Sequence, residues 1–109
     1  MNESDFDRLA EETMLAIEEA VDASGADIDY DNVSDILTLE FEGGSKIIIN
    51  KQGPLSQLWV AARSGGFHFD YASDDQTWRL QDSGEELFDC LSRYCSEQAG
   101  EEIRLERQS

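Results

Sequence analysis

Positive charge is scarce in this chain. Its 109 residues include 8 Lys and Arg against 25 Asp and Glu, which gives a formal net charge of −17. Binding to nucleic acid or to an anionic membrane through a basic patch requires clustered Lys and Arg, because counterion release supplies much of the affinity. The composition therefore favours metal cations or basic proteins as partners, and we expect neither nucleic acid nor membrane to bind.

Long apolar runs and cysteine are also scarce. No apolar run approaches the ~20 residues of a transmembrane helix, and the first residues lack the basic region of a signal peptide, so we expect a cytoplasmic protein. The two cysteines, Cys90 and Cys95, lie five residues apart in a helical pattern. Their side chains then point about 140° apart, which excludes a mutual disulfide, and we interpret both as buried apolar residues.

Hydrophobic periodicity predicts the order helix, sheet, helix in a single domain, residues 1–109. A first helix is predicted from Asp5 to Ser24 with Ser4 and Asp7 as its capping box, and a second one after a capping box of Ser83 and Glu86, ending at Gly100. Alternating residues predict short antiparallel strands near residues 28–30, 37–41, 47–49, 57–62, 67–71 and 77–80, with Asp31–Asn32 as the first turn.

This order is typical of an α+β two-layer sandwich, in which both helices pack on one face of the antiparallel sheet and the other face is exposed. The tail after Gly100 has Ile103 and Leu105 as its only apolar anchors. We expect it to pack in an extended conformation and to fray at its end.

Acidic residues are concentrated at the start of the chain, where Arg8 is the only cation before Lys46. A helical wheel places four of them on one stripe of the first helix and Glu12 and Glu19 on a second stripe; the four are Asp7, Glu11, Glu18 and Asp22. In the following strand Asp27, Asp29 and Asp31 alternate with apolar residues and should point away from the core together. If this strand lies beside the helix, the two elements form a continuous acidic ridge.

Carboxylate oxygens are the ligands that hard cations prefer, so such a ridge would hold Fe²⁺, Fe³⁺, Mn²⁺, Mg²⁺ or Ca²⁺ weakly, with water remaining in the coordination shell. The sole histidine, His68, has no second imidazole or thiolate at ligand spacing, so we do not expect a closed metal centre. The sequence also has no convincing Ser-His-Asp, Cys-His or glycine-rich phosphate-loop pattern, so we expect no enzymatic activity. The acids could instead form a solvated face that confers solubility, although such surfaces usually mix charges of both signs.

A second group of candidate residues lies between Asn50 and Phe69. Alternation places Leu58 and Val60 toward the core, and it leaves Trp59, His68 and Asn50 together on the exposed face. An exposed tryptophan is typical of an interaction surface, because its large ring is enriched at binding hot spots. The alternative is a tryptophan half covered by Arg63 or Arg79.

In this block the chain resembles the frataxin family, specifically its bacterial members. The residues that carry the resemblance are Asn50-Lys51-Gln52, Pro54, Gln57-Leu58-Trp59, Ala61, Gly65-Gly66 and His68-Phe69. The resemblance implies a sandwich that binds iron at an acidic ridge of the first helix and first strand. It also implies docking on a cysteine desulfurase, by which iron–sulfur cluster assembly is tuned.

Candidate site residues follow from this resemblance. Asp7 lies on the same helical stripe, and the acidic positions that match the family are Glu11, Glu18, Glu19, Asp22, Asp29 and Asp31. Glu18, Glu19 and Asp22, together with Asn50 and Trp59 on the sheet, are the candidate partner-binding residues. We thus predict an iron-binding, mostly monomeric protein that regulates cluster assembly or supplies iron to it. The alternative function is an acidic mimic of DNA that inhibits a basic nucleic-acid-binding protein.

Overall fold

The computed structural model describes residues 1–108, which form two helices and one six-stranded antiparallel sheet. The helices are α1 (Glu3–Ser24) and α2 (Leu87–Ala99), and a 3₁₀ turn spans Gly53–Leu55. The strands, which neighbour one another in chain order, are β1 (Ile28–Val33), β2 (Ile36–Phe41), β3 (Lys46–Gln52), β4 (Gln57–Ala62), β5 (Gly65–Ala72) and β6 (Thr77–Leu80). The predicted two-layer α+β sandwich is confirmed.

The first strand is longer than the sequence pattern indicated. Asp31 and Asn32, predicted as a turn, are paired strand residues, and the chain reverses instead at Ser34 and Asp35. Both of these residues have left-handed backbone conformations, with φ of 52° and 65°. A two-residue turn with positive φ at both positions matches the right-handed twist of the strands that it joins. This match offsets the conformational cost of positive φ in two residues that are not glycine.

The helix caps differ from the two predicted capping boxes. Asn2 caps α1, because its side-chain oxygen accepts a hydrogen bond of 2.8 Å from the backbone N–H of Asp5. Asn is as strong an N-cap as Ser. The helix therefore begins at Glu3, before the predicted start at Asp5, and Asn2 replaces Ser4 as its cap. Glu86 itself caps α2 by accepting from the N–H groups of Phe88 and Asp89, whereas the predicted cap Ser83 bonds to Glu85.

The core lies between the helices and one face of the sheet. Alternate residues of the strands point into it, and α1 and α2 contribute their apolar stripes; examples buried completely are Phe6, Ile17, Leu37, Leu39, Ile47, Ile49, Leu58, Phe69 and Leu91. Cys90 and Cys95 are buried in the same core and are not bridged. Burial raises the pKa of the Cys95 thiol to about 12, so it stays protonated and unreactive at neutral pH.

The tail covers α2 in an extended conformation. Ile103 and Leu105 are buried, as predicted. Two serine hydroxyls of α2 bind the tail backbone, because Leu105 N–H donates to Ser92 Oγ at 2.8 Å and Ile103 N–H donates to Ser96 Oγ at 2.9 Å. The predicted fraying concerns the very end of the chain, and Ser109 lies outside the described residues.

Candidate functional site

The edge strand β1 carries acids on one face only. Its register with β2 sets Asp29 opposite Glu40 and Asp31 opposite Thr38, all on the exposed face of the sheet. Tyr30 and Asn32 alternate with them and face α1. The predicted common direction of Asp29 and Asp31 is therefore right, and Asp27 precedes the strand. The acids of β1 and α1 thus lie on opposite sides of the same edge strand.

Two acids of α1 are joined to β1 by hydrogen bonds. The Tyr30 hydroxyl donates to Asp22 Oδ2 at 2.9 Å, and the Asn32 amide donates to Glu18 Oε2 at 3.0 Å. The bond to Asp22 raises the pKa of Tyr30, because the carboxylate stabilises the protonated phenol. Each bond uses one oxygen of its carboxylate and fixes the helix acids in a row beside the strand.

Asp7 has an internal cation as its neighbour. Lys51 Nζ lies 3.3 Å from Asp7 Oδ1 and 3.4 Å from Asp35 Oδ2, and the lysine side chain is only 14 % exposed. Partial burial lowers the pKa of Lys51, but the hydrogen bond with Asp7 and the attraction of both carboxylates outweigh it, so that its pKa is raised. The negative charge of Asp7 is thereby compensated by a cation of the same chain, and the other acids of its stripe have no such ion pair within residues 1–108.

The remaining acids of α1 are more open to solvent. Glu11 and Glu19 are exposed, and within residues 1–108 neither forms an ion pair or a side-chain hydrogen bond. Glu12 lies 3.6 Å from Arg8. Leu15, which sequence reasoning missed, is 55 % exposed and lies among the acids of the stripe. Its signal was available, since an apolar residue stood on the polar side of the wheel.

No three Asp, Glu, His or Cys side chains among residues 1–108 converge closely enough to hold a metal ion as a closed centre. The carboxylates are instead spread along α1 and β1, where at most two of them lie close together. A cation on this surface would have one or two carboxylate ligands and several waters, which is a weak mode of binding.

The exposed sheet face carries the predicted aromatic group. Asn50, Trp59 and His68 are direct neighbours across β3, β4 and β5, as predicted. The Trp59 ring stacks on the His68 ring with centroids 4.3 Å apart, and its Nε1 donates to Gln57 Oε1 at 2.9 Å. Gln57 in turn donates to Asp70 at 3.0 Å, which explains why an outward-facing glutamine is buried.

The polar groups of both arginines considered as a cover for Trp59 are bonded to other residues. The Arg63 backbone and guanidinium bond to Gln98 and Glu97 at the end of α2, and Arg79 pairs with Asp75. His68 half covers the indole instead, because the two are cross-strand neighbours on the same face. The ring is held in a fixed orientation on the exposed side of the sheet.

Fold and surface together define a class of protein: a small α+β sandwich with an acidic helix and edge strand and an open aromatic sheet face. The family described as "Frataxin-like domain" matches residues 1–101. The chain belongs to the frataxin family, which confirms the resemblance noted in the sequence.

Curated relatives cover almost the whole chain. The iron-sulfur cluster assembly protein CyaY of Photobacterium profundum is 46 % identical over 94 % of this chain and 96 % of its own, and that of Vibrio parahaemolyticus is 47 % identical over 94 % and 97 %. Among solved structures, the frataxin of Psychromonas ingrahamii superposes with a TM-score of 0.89 at 41 % identity, covering 98 % of this chain and 100 % of that one. In residues 1–108 no helix combines the length and apolarity that crossing a membrane requires.

Proposed function

We propose that this protein acts in iron–sulfur cluster assembly, as a non-enzymatic, mostly monomeric cytoplasmic protein that binds iron and docks on a cysteine desulfurase. Family membership and the bacterial relatives named for cluster assembly support the process. The observation that carries the site is the alignment of α1 acids beside the edge strand, where Tyr30 and Asn32 order Asp22 and Glu18.

Iron would be bound as cargo at the open carboxylates. The donor set is made of oxygen alone, which suits Fe²⁺ and Fe³⁺ and does not discriminate strongly against divalent cations such as Mn²⁺ and Mg²⁺. The proposed ligands are Glu11, Glu18, Glu19, Asp22, Asp29 and Asp31. Asp7 is a weaker candidate than the sequence indicated, because Lys51 already compensates its charge.

Docking on the desulfurase and its assembly machinery would use two surfaces, the acidic side of α1 and the exposed face of the sheet. Glu18, Glu19 and Asp22 offer negative charge to a basic region of the desulfurase, which speeds association and orients the partner. On the sheet face, the ordered ring of Trp59 offers an aromatic contact to the assembly machinery, and Asn50 beside it offers a side-chain amide. Net charge by itself is the only support for the alternative of a DNA mimic, and an ordered Trp59–His68 stack is not a feature that a phosphate mimic needs.

The iron proposal is tested by anaerobic titration with Fe²⁺ followed by amide NMR. Paramagnetic broadening should concentrate on α1 and β1, strongest around Glu18, Glu19 and Asp22 and weaker at Asp7. A parallel titration with Mg²⁺ controls for charge neutralisation alone. Broadening spread evenly over all exposed acids would contradict an iron site.

The docking proposal is tested by reversing charge at Glu18, Glu19 and Asp22 to Lys and measuring affinity for a purified bacterial cysteine desulfurase. The dissociation constant should rise at least about tenfold, since several charge pairs are lost together. A matched variant with Asp74, Asp82 and Glu102 changed to Lys carries the same net charge, and these exposed acids lie outside α1 and β1. Equal weakening in both variants would mean that only net charge matters.

A further inference from the structure

The two edges of the sheet differ in whether another segment of the chain covers them. At the β6 edge, the segment that follows the strand returns along it: Leu80 N–H donates to the carbonyl of Glu85 at 2.8 Å, and Arg79 bridges to Glu86. At the other edge, β1 pairs with β2 alone within residues 1–108, and every residue from Asp29 to Val33 is exposed. The β1 edge is therefore open to another strand.

Hydrogen bonds at the end of β2 show which backbone groups point out of the β1 edge. Phe41 uses its N–H for Ser45 O at 2.9 Å and its carbonyl for Gly44 N–H at 2.8 Å, so both groups point away from β1. Its partner Ile28 is thus in a pair without mutual hydrogen bonds. Such pairs alternate in an antiparallel ladder, so the N–H and C=O groups of Tyr30 and Asn32 also point outward. An added strand would find regularly spaced donors and acceptors there.

Charge selects what can use this edge. Asp29 and Asp31 line it on the exposed face, and Glu18 and Asp22 line it on the helix face. A second copy of this chain pairing through β1 would bring its own Asp29 and Asp31 close to these acids, which opposes association. A strand with Lys or Arg on both of its faces would meet carboxylates on each side.

We propose that the open edge of β1 is a docking site for an extended, lysine- or arginine-rich segment of a partner protein, which adds to the sheet as a seventh strand. Backbone hydrogen bonds to Tyr30 and Asn32 hold the segment, and the acids on both sides select its charge. The inference rests on the proposed function only in that both use this acidic surface; it requires neither iron nor a desulfurase.

The test uses a synthetic ten-residue peptide in which pairs of adjacent Lys alternate with pairs of Val or Thr, so that both faces of the extended peptide carry Lys. A matched peptide is N-methylated at two adjacent central residues. The second peptide has the same charge but cannot pair along either edge. Amide hydrogen exchange should show new protection at Tyr30 and Asn32 with the first peptide, and that peptide should bind about tenfold more tightly than the second. Asp29 and Asp31 amides, already paired with β2, should change little.

Charge selection is tested with Asp29→Asn plus Asp31→Asn, compared with Asp74→Asn plus Asp82→Asn of equal charge. Only the first variant should weaken binding of the unmodified peptide, about tenfold, with amide spectra elsewhere unchanged. Equal affinity for both peptides, unprotected Tyr30 and Asn32 amides, or no binding at all would overturn strand addition. Peptide pairing without desulfurase binding would uphold this inference and overturn the docking half of the proposed function.

Discussion

Lys51 holds three segments together at one point. Its ammonium contacts Asp7 at the start of α1 and Asp35 in the turn after β1, while its own backbone belongs to β3. Because the lysine is mostly shielded from water, these contacts should exceed the value of surface ion pairs. It belongs to the block that carries the family resemblance, but its position beside Asp7 depends on the fold.

Replacing Lys51 by Met should lower the free energy of unfolding by about 1–3 kcal/mol, because two carboxylates lose their cation. Urea denaturation at neutral pH measures the effect. Lys46→Met is the control: this lysine is 54 % exposed and 4.0 Å from Glu40, so little change is expected. A loss no larger than in the control would show that the Lys51 contacts add nothing.

The two tryptophans should respond differently to truncation. Trp59 lies half covered on the exposed face, whereas Trp78 is 1 % exposed and donates to Thr13 Oγ1 at 2.9 Å. Trp59→Ala should cost about 1 kcal/mol of stability and weaken the partner contact by about 1–2 kcal/mol, while Trp78→Ala should cost about 3–5 kcal/mol. Thermal unfolding and desulfurase affinity measure the two effects, and a large loss of stability in Trp59→Ala would make it a core residue.

At the scale of elements, the tail is fastened to α2 by two means at once. Leu105 is buried, and its backbone N–H is bound by the hydroxyl of Ser92, a residue one turn of helix before Ser96. The two serine hydroxyls of α2 accept hydrogen bonds from backbone N–H groups of the tail, which in a sheet would be bound by a neighbouring strand. A short terminal segment can thus be ordered without joining the sheet.

Leu105→Ala should lower the free energy of unfolding by about 2–4 kcal/mol, because it leaves a cavity between the tail and α2. The neighbouring Arg104, with its side chain 58 % exposed and paired with Asp89 at 2.9 Å, supplies the control as Arg104→Ala, for which a small effect is expected. Chemical denaturation of both variants gives the comparison. Similar values for the two would mean that the tail is not part of the cooperative core.

At the scale of the whole molecule, a net charge of −17 on 109 residues makes folding work against its own repulsion. Three of the eight cations, Arg79, Arg93 and Arg104, pair with acids between residues 75 and 106. Arg8 and Lys51 compensate acids in the first half of α1, and within residues 1–108 the acids from Glu18 to Asp31 form no ion pair. Screening or binding of cations should therefore stabilise the native state more than the expanded one.

The melting temperature should rise by several degrees between low salt and about 0.2 M NaCl, and further with a few millimolar Mg²⁺ at constant ionic strength. Differential scanning calorimetry measures both steps. A variant with Glu18→Gln, Glu19→Gln and Asp22→Asn should start from a higher value and gain less from Mg²⁺. A melting temperature that does not change with salt concentration would show that the acids are too dispersed to repel one another.

Local periodicity by itself determined which residues face the core. The stripe of Phe6 and Ile17, the alternation through Leu58 and Val60, and the common direction of Asp29 and Asp31 all follow from helix and strand geometry, which acts between near neighbours in the chain. The helix ends at Gly25 and Gly100 were equally predictable from the left-handed conformation that glycine permits.

Only the tertiary structure decided which acids are compensated. The pairing of Lys51 with Asp7, of Tyr30 with Asp22, and of Asn32 with Glu18 joins residues from different elements. An ion pair or hydrogen bond requires its atoms within about 3–4 Å, and that distance is set by how the elements pack, which a local pattern does not contain. The sequence thus determined an acidic surface, and the packing of α1 against β1 determined where on it charge remains available.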